Sequence, residues 1–226
     1  MSEATGPGAV TADGCAVDVY LRLPVMGEPE LIDGAVPAGA SILDLGAGVG
    51  RVADPLVALG HRVVAVDDSP DMLAHVRAAE PVLSTIEELA LGERFGAVVM
   101  ASNLANTPDE RTRRALFAAA RRHADGLVLC QWHTPDWFDA LRPGPGRPGQ
   151  VGPVTTRLDV HTVADRIVDA TVEYQVDGHT WTQRFRARRF DEAELAAELA
   201  ANGLVFDRFL TDDRSWFAAR PIPTTR

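Results

Sequence analysis

Short apolar runs alternate with helix-like segments between residues 41 and 132, and this alternation limits the fold more than any other feature of the chain. Five runs have the length and composition of buried strands: 41–45 (SILDL), 61–68 (HRVVAVDD), 81–84 (PVLS), 95–102 (FGAVVMAS) and 126–132 (GLVLCQW). Helices are predicted between them: 51–60, 70–79 with Ser69 as its cap, and 107 to about 123, opened by the capping box TPDE. Such alternation is typical of a parallel sheet with helices on both faces.

The pattern changes after residue 132. A proline- and glycine-rich loop over 142–153 precedes three antiparallel strands within 154–189, where Asp177-Gly178 forms a hairpin turn. A helix that starts at the acidic pair Asp191 and Glu194 and two short strands end the chain. We therefore predict a doubly wound, Rossmann-like α/β fold: a seven-stranded, mostly parallel sheet, its last strand antiparallel, with an antiparallel β insertion.

We interpret the whole chain as one domain with four parts. These are an N-terminal segment (1–40), a core (41–132), a loop with the antiparallel insertion (133–190), and a final helix and strand pair (191–226). The insertion is expected to cover the site or to form a subunit contact, for which a homodimer is one arrangement. Substrate choice is expected to depend on it.

The composition argues against two classes of partner. A formal charge of −10 disfavours a large phosphate-backbone footprint, so no nucleic acid is expected. No apolar run approaches the roughly 20 residues of a membrane span. Residues 1–14 lack the basic start and apolar block of a signal peptide, which predicts a loose tail and a cytoplasmic chain. Two cysteines far apart predict reduced thiols and no metal site.

The turn after the first strand, LDLGAGVGR (43–51), excludes two kinds of phosphate site. A nicotinamide dinucleotide fingerprint needs glycine at its sixth position, where this chain has Arg51. A nucleotide phosphate loop needs lysine, and the sequence contains none. Two acids remain to be explained: Asp44 precedes the glycines, and Asp67 ends the next strand. A carboxylate there can accept two hydrogen bonds from a ribose diol, which favours an adenosine ligand without phosphate.

Three segments resemble, in order and spacing, the motifs of class I S-adenosylmethionine-dependent methyltransferases: LDLGAGVGR (43–51), VVAVDDSPDML (63–73) and FGAVVMASNL (95–104). The resemblance is close over residues 40–132 and looser for the final helix and strand pair. It implies S-adenosylmethionine as the cofactor. The residues that it assigns to cofactor binding are Asp44, Gly46, Ala47, Gly48, Asp67, Asp68, Met72, Ile86, Glu87, Ser102, Asn103 and Tyr20.

Each part of the cofactor has its own residues under this resemblance. The glycine turn lines the methionine and ribose portion with Asp44 nearby, and Asp67 binds the ribose hydroxyls with Asp68 beside it. Met72 and Ile86 pack against the adenine, which Glu87 can reach, although Thr85 stands where the family often has an acid. Ser102 and Asn103 face the methionine end, and Tyr20 closes over the cofactor. Core packing for Met72 and a solvated helix start for Asp68 are alternatives.

The residues after the fifth strand are the catalytic candidates, because ligands of open parallel sheets bind at the carboxyl ends of the strands. His133 is predicted as a general base, with Asp136 as the partner that orients its ring. The alternative is a histidine that only caps the strand end. Trp132 and Trp137 either form a wall for an aromatic acceptor or pack in the core.

The most direct functional interpretation is methyl transfer from S-adenosylmethionine to a small-molecule acceptor, with natural-product metabolism as its setting. Two alternatives stay open. One is an enzyme of the same fold that keeps the cofactor site and performs another chemistry. The other is a partner subunit that binds the cofactor without turnover.

Overall fold

Two β-sheets organise the chain in the structure, a computed structural model that describes residues 4–223. The strands are β1 (Ala4–Thr5), β2 (Ser41–Leu45), β3 (Arg62–Asp67), β4 (Glu80–Leu83), β5 (Phe95–Met100), β6 (Ala124–Gln131), β7 (Gly149–Val151), β8 (Val154–Ala164), β9 (Ile167–Val176), β10 (His179–Arg188), β11 (Leu204–Phe209) and β12 (Trp216–Pro221). The helices are α1 (Val17–Tyr20), α2 (Glu28–Ala35), α3 (Ala53–Ala58), α4 (Pro70–Leu73), α5 (Glu110–His123), α6 (Pro135–Ala140) and α7 (Glu192–Ala201). No helix within the described residues is long and apolar enough to cross a membrane.

The larger sheet has seven strands in the order β11-β12-β6-β5-β2-β3-β4. Strands β2 to β6 are parallel, and β12 is antiparallel to both of its neighbours, β6 and β11. The predicted α/β fold, mostly parallel with the last strand antiparallel, is therefore confirmed. Parallel pairing brings the carboxyl ends of β2, β3, β5 and β6 to one edge, where the candidate residues lie.

Both faces of this sheet are buried, which explains why its central strands have continuous apolar sequences. In β2, Leu43 and Leu45 belong to one core cluster and Ile42 to the other, as the alternation of side chains in a strand requires. All three side chains are fully buried. Each contributes about 1.5–3 kcal/mol of hydrophobic stabilisation, so the core fixes the strand ends on which the site stands.

The smaller sheet has five antiparallel strands in the order β1-β10-β9-β8-β7. Its predicted hairpin turn is confirmed, since Asp177 and Gly178 both have positive φ angles, +52° and +76°, between paired strands β9 and β10. The prediction of a loose tail over residues 1–14 is wrong for residues 4–14. Strand β1 pairs with β10, and the Trp181 indole N–H donates to the Pro7 carbonyl at 2.8 Å. The remainder of that predicted tail, residues 1–3, lies outside the described residues.

The helix predicted over 70–79 ends much earlier, at Leu73. Its start is correct, because the Ser69 hydroxyl accepts a hydrogen bond from the Met72 amide at 3.3 Å. Its end is set by a side chain from another helix. The Asp54 carboxylate accepts from the backbone N–H groups of residues 77, 78 and 79 at 2.9, 2.8 and 3.0 Å. These three bonds hold the backbone out of a helix and lead it into β4.

Three further elements differ from the prediction. Helix α5 is capped by Asp109, whose carboxylate accepts from the Thr112 amide at 2.7 Å, so the predicted cap at Thr107 is wrong. Helix α6 was not predicted, although Thr134 followed by Pro135 is a helix-start signal. Strand β7 lies inside the predicted proline- and glycine-rich loop and pairs with β8.

Substitution of Asp54 tests this account of the early helix end. Asp54→Ala should lower the free energy of unfolding by about 1–3 kcal/mol, because three backbone N–H groups lose a charged acceptor. Urea unfolding measures the change, and Asp212→Ala, which removes an exposed aspartate between β11 and β12, serves as the control. Equal stability of the two variants would contradict the role given to Asp54.

Candidate cofactor and acceptor site

The glycine turn between β2 and α3 is tied to β3 by its backbone. The amides of Gly46 and Ala47 both donate to the Val66 carbonyl at 2.9 Å. Gly46 and Gly48 have φ angles of +73° and +56°, in the left-handed region that favours glycine. A Cβ atom on Gly46 would lie 2.8 Å from Leu104 Cδ1. The turn therefore needs glycine and presents bare backbone at the sheet edge.

Asp67 ends β3 and is held by two backbone N–H groups. Its carboxylate accepts from the Gly48 amide at 2.8 Å through one oxygen and from the Ser69 amide at 2.9 Å through the other. Partial burial raises the pKa of Asp67, and these two hydrogen bonds act against that rise. Each oxygen accepts one of these bonds and keeps a lone pair. The carboxylate can therefore accept two more hydrogen bonds from a diol.

Asp44 lies beneath the turn and has a buried oxygen that nothing in the described part of the chain satisfies. Its side chain is 1% exposed, and Oδ1 has no hydrogen-bond partner. Burial raises the pKa of Asp44 to about 7, with Arg51 lowering it and Asp67 raising it further. A buried oxygen of this kind in a cleft indicates a missing donor, which a bound ligand can supply.

Arg51 connects the turn to the N-terminal segment. Its guanidinium pairs with Glu28 at 2.8 Å and donates to the Pro24 carbonyl at 3.0 Å. Glu28 is buried, and its carboxylate also accepts from the Met26 amide. This network holds the segment before α2 against the start of α3. Arg51, which stands where a nicotinamide-binding motif would have glycine, thus stabilises the structure.

Tyr20 lies beside the glycine turn. A small apolar cluster joins Val17, Val49 and Met72, and the side chains of Cys15 and Tyr20 pack against it. Val49 follows Gly48 directly, and Met72 is buried at the start of α4. The Tyr20 hydroxyl accepts a hydrogen bond from the Cys15 thiol at 3.3 Å. The segment containing Tyr20 therefore covers the edge where Asp67 and the glycines meet.

Ser102 and Asn103 follow β5 in a strained turn. Their φ angles are +58° and +60°, two consecutive left-handed residues without glycine. The Ser102 amide donates to the side-chain carbonyl of Gln131, at the end of β6, at 2.8 Å. Backbone strain of this kind concentrates at functional sites. It places both residues at the same edge as Asp44 and Asp67.

Three of the predicted cofactor residues lie at the periphery of the candidate site. Asp68 and Glu87 are exposed, and Ile86 is half-buried against the core cluster that contains Leu89. Thr85 is exposed as well. Thr85 stands where the resemblance would place an acid, and Glu87 is the acid nearest to it in the sequence. The adenine contacts of Ile86 and Glu87 stay predictions.

His133 follows β6 and is fixed through its backbone. Its amide donates to Asn106 Oδ1 at 2.7 Å, and Asn106 Nδ2 donates to the carbonyls of His133 and Arg188 at 3.3 and 2.9 Å. The imidazole stacks on Trp137 with 3.8 Å between ring centroids. Burial lowers the pKa of His133 to about 4, so the ring is neutral at pH 7.

One acceptor-side prediction is wrong, and Trp132 follows its core-packing alternative. Asp136 does not orient His133: it is exposed in the first turn of α6, and within residues 4–223 no hydrogen bond joins the two side chains. The cap at Thr134 turns Trp137, rather than Asp136, toward the imidazole. Trp132 forms no wall of the site, because it is 2% exposed and its indole donates to the Arg214 carbonyl at 2.6 Å.

Sequence reasoning assigned no role to several residues that shape this region. Asn106 is 1% exposed and links β6, β10 and the turn after β5. Cys15 directly follows the predicted tail, and its thiol accepts from Gln183 of β10 at 3.1 Å. A local pattern cannot show such contacts. For Asn106, the only indication in the sequence was its position shortly after β5, at the carboxyl edge of the sheet.

Solved structures with the same fold include two bacterial methyltransferases. The CcbJ methyltransferase from Streptomyces caelestis is 23% identical, with a TM-score of 0.74 over 92% of this chain and 96% of that chain. The sugar N-methyltransferase KedS8 from Streptoalloteichus is 20% identical, with a TM-score of 0.73 over 97% of this chain and 98% of that chain. At these identities, the similarity shows the fold alone.

Sequence comparisons also find similarity to methyltransferases. A family described as "Methyltransferase domain" matches residues 42–126. An uncharacterized methyltransferase of Mycobacterium tuberculosis is 37% identical over 155 residues, which is 64% of this chain and 62% of that protein. The chain thus spans less than two thirds of the length of this curated relative. The family match covers the glycine turn, Asp44 and Asp67, so the similarity to methyltransferases includes the candidate cofactor edge and supports S-adenosylmethionine as the cofactor.

Proposed function

We propose that the chain transfers a methyl group from S-adenosylmethionine to a small-molecule acceptor. The observation that supports this most directly is the pair of acids at one sheet edge. Asp67 keeps two lone pairs beside the glycine turn, and Asp44 keeps a buried oxygen without a donor. A ribose diol and an amino-acid ammonium group are the complementary donors, and S-adenosylmethionine carries both.

The residues present fit this cofactor. Asp67 would hold the ribose, Asp44 would take the ammonium group, and the bare backbone of Gly46 and Gly48 would let the ligand approach closely. When bound, the cofactor supplies an electrophilic methyl group on a sulfonium sulfur. The chain must then place the acceptor in line with that methyl group and exclude water. Holding the two reactants in this geometry is the main way in which a protein accelerates such a displacement.

His133 would orient the acceptor. Its imidazole is neutral at pH 7 and can accept a hydrogen bond from an acceptor N–H or O–H group. With a pKa of about 4 it is a weak base, because efficient general bases have pKa values near the working pH. We therefore assign His133 to positioning, with Trp137 holding its ring. The fold shared with the sugar N-methyltransferase KedS8 is consistent with a small acceptor.

The first test is ligand-dependent stability. S-adenosylhomocysteine should raise the apparent stability of the chain by about 2–4 kcal/mol at saturation, and NAD should have no effect. Thermal unfolding measures both. Asp67→Asn should reduce the shift, and Asp71→Asn, which removes an exposed charge from the same helix start, should keep it. A shift with NAD alone would contradict the proposed function.

Methyl transfer itself is tested with labelled S-adenosylmethionine and a panel of small amines and alcohols. His133→Ala should lower turnover on the best acceptor by about 10²-fold and leave the affinity for S-adenosylhomocysteine unchanged. The pH profile of the unchanged chain should show no ionisation of His133 between pH 5.5 and 7.5, because its lowered pKa, about 4, lies below that window. His161→Ala, at an exposed position of β8, is the control. Normal turnover by His133→Ala would remove His133 from the site.

Asp44 should make cofactor binding pH-dependent. Its pKa is raised to about 7 in the free chain, so below that value the carboxyl is largely protonated and cannot pair with an ammonium group. Binding of S-adenosylhomocysteine should therefore strengthen as the pH rises from 6 to 8, with release of a proton. Calorimetry in two buffers of different ionisation enthalpy measures the proton. Asp44→Asn should abolish the release, and an unchanged release would show that another group titrates.

A further inference from the structure

The inner face of the smaller sheet is defined by the register of β8, β9 and β10. Tyr174 lies opposite Thr156 and Trp181, and Val172 lies opposite Leu158 and Gln183. Side chains at these positions share one face, and those at neighbouring positions share the other. Trp181 is buried, whereas its neighbour Thr182 is not, so the first set is the inner face.

The two ends of the inner face are sealed by packing. At one end, Ala16 and Val19 of the N-terminal segment form a buried cluster with Val154, Val176 and Trp181. At the other end, Phe138 of α6 is buried against a second cluster, which Trp137 also contacts. The strand residues of that second cluster are Val160, Val168, Ala170 and Ala187. The sheet is therefore fixed to the rest of the chain at both ends.

Between these ends the inner face is less buried, with Tyr174 packed against the first cluster and Leu158 and Phe185 packed against the second. Six side chains there are only half-buried, and we call them the central strip: Thr156, Leu158, Val172, Tyr174, Gln183 and Phe185. Strand residues on both sides of the strip are 7% exposed or less. The six side chains of the strip therefore keep some accessible surface between two buried clusters.

The central strip contacts the candidate site at both of its ends. Gln183 donates to the Cys15 thiol at 3.1 Å, and that thiol donates to the hydroxyl of Tyr20, which packs beside the glycine turn. At the other end, Trp137 packs against the same cluster as Phe185 and stacks on His133. The strip therefore extends from the cofactor side of the site to its acceptor side.

The chemistry of the strip is neutral. Within the described residues, the inner positions of β8, β9 and β10 from Val154 to Ala187 carry no Asp, Glu, Arg or Lys. The outer face carries the charges, with Arg157 paired to Glu173 at 3.2 Å and Arg184 paired to Asp169 at 2.9 Å. The Cys15 thiol also lies 3.5 Å from the carboxylate of Asp13. The negative charge of Asp13 helps to raise the pKa of Asp67, so Asp13 lies toward Asp67.

The polar groups of the strip are two hydroxyls and one amide. Burial raises the pKa of Tyr174, so its phenol stays protonated; it donates to Gln183 Oε1 at 3.5 Å and can accept from a ligand. Gln183 and Thr156 can both donate and accept, and Leu158, Val172 and Phe185 supply apolar surface. A charged group placed against this surface would lose its hydration without gaining a partner.

We infer that the central strip binds the methyl acceptor and selects an uncharged ring that carries hydroxyl groups. Phe185 and the aliphatic residues contact the face of the ring, and Thr156, Tyr174 and Gln183 bind its hydroxyls. A phosphorylated or carboxylated acceptor is excluded by the lack of a cation on this face. The inference rests on the proposed function, because it assigns the acceptor half of the same site.

Binding of a matched pair of probes tests the inference. Phenyl β-D-glucoside and phenyl β-D-glucuronide differ in one group, a neutral CH₂OH against a carboxylate. Calorimetry on the full chain saturated with S-adenosylhomocysteine should show that the glucoside binds at least about tenfold more tightly. Equal or tighter binding of the glucuronide would overturn the inference, as would a lack of glucoside binding at about 10 mM.

Two variants of the same type locate the binding. Gln183→Leu should weaken glucoside binding about fivefold or more, because a hydrogen bond to the strip is lost. Gln175→Leu, on the outer face of β9, should leave it unchanged. Binding of S-adenosylhomocysteine by each variant shows that it is folded. Equal glucoside affinity in both variants would overturn the role of the strip, while failure of the unchanged chain to bind S-adenosylhomocysteine would overturn the proposed function as well.

Discussion

The hydrogen bonds of the Asp67 carboxylate are the interaction on which the rest of the site depends. They join three segments at one point: the glycine turn through Gly48, the end of β3, and the start of α4 through Ser69. A backbone amide bonded to a carboxylate is a charge-assisted contact, roughly twice as strong as a neutral one. Because each oxygen of the carboxylate accepts one backbone N–H, the carboxylate stabilises the turn and still keeps one lone pair on each oxygen for a ligand.

The smaller sheet extends this arrangement to the acceptor side. It reaches the cofactor edge through the N-terminal segment, since β1 pairs with β10 and Trp181 binds the Pro7 carbonyl. It reaches the end of β6 through Asn106, which bonds to the backbone of both His133 and Arg188. The core sheet thus carries the candidate cofactor residues, while the smaller sheet carries the central strip.

Local signals predicted much of the fold and of the cofactor edge, and they failed where distant residues decide. Strand β2, the Asp177-Gly178 turn and the capping box of Asp191 and Glu194 follow from their own sequences, and the structure has each of them. The early end of α4 depends on Asp54, more than 20 residues away. The N-terminal segment depends on contacts across 168 and 174 residues, which no local pattern could reveal.

Two kinds of departure from local preference lie at one edge of the core sheet. Asp44 is a buried acid with an unsatisfied oxygen, and Ser102 and Asn103 are consecutive left-handed residues without glycine. Each such feature costs roughly 1–3 kcal/mol, so the surrounding core must be stable enough to hold them. A ligand that donates to Asp44 would remove part of that cost, and binding would then stabilise the fold.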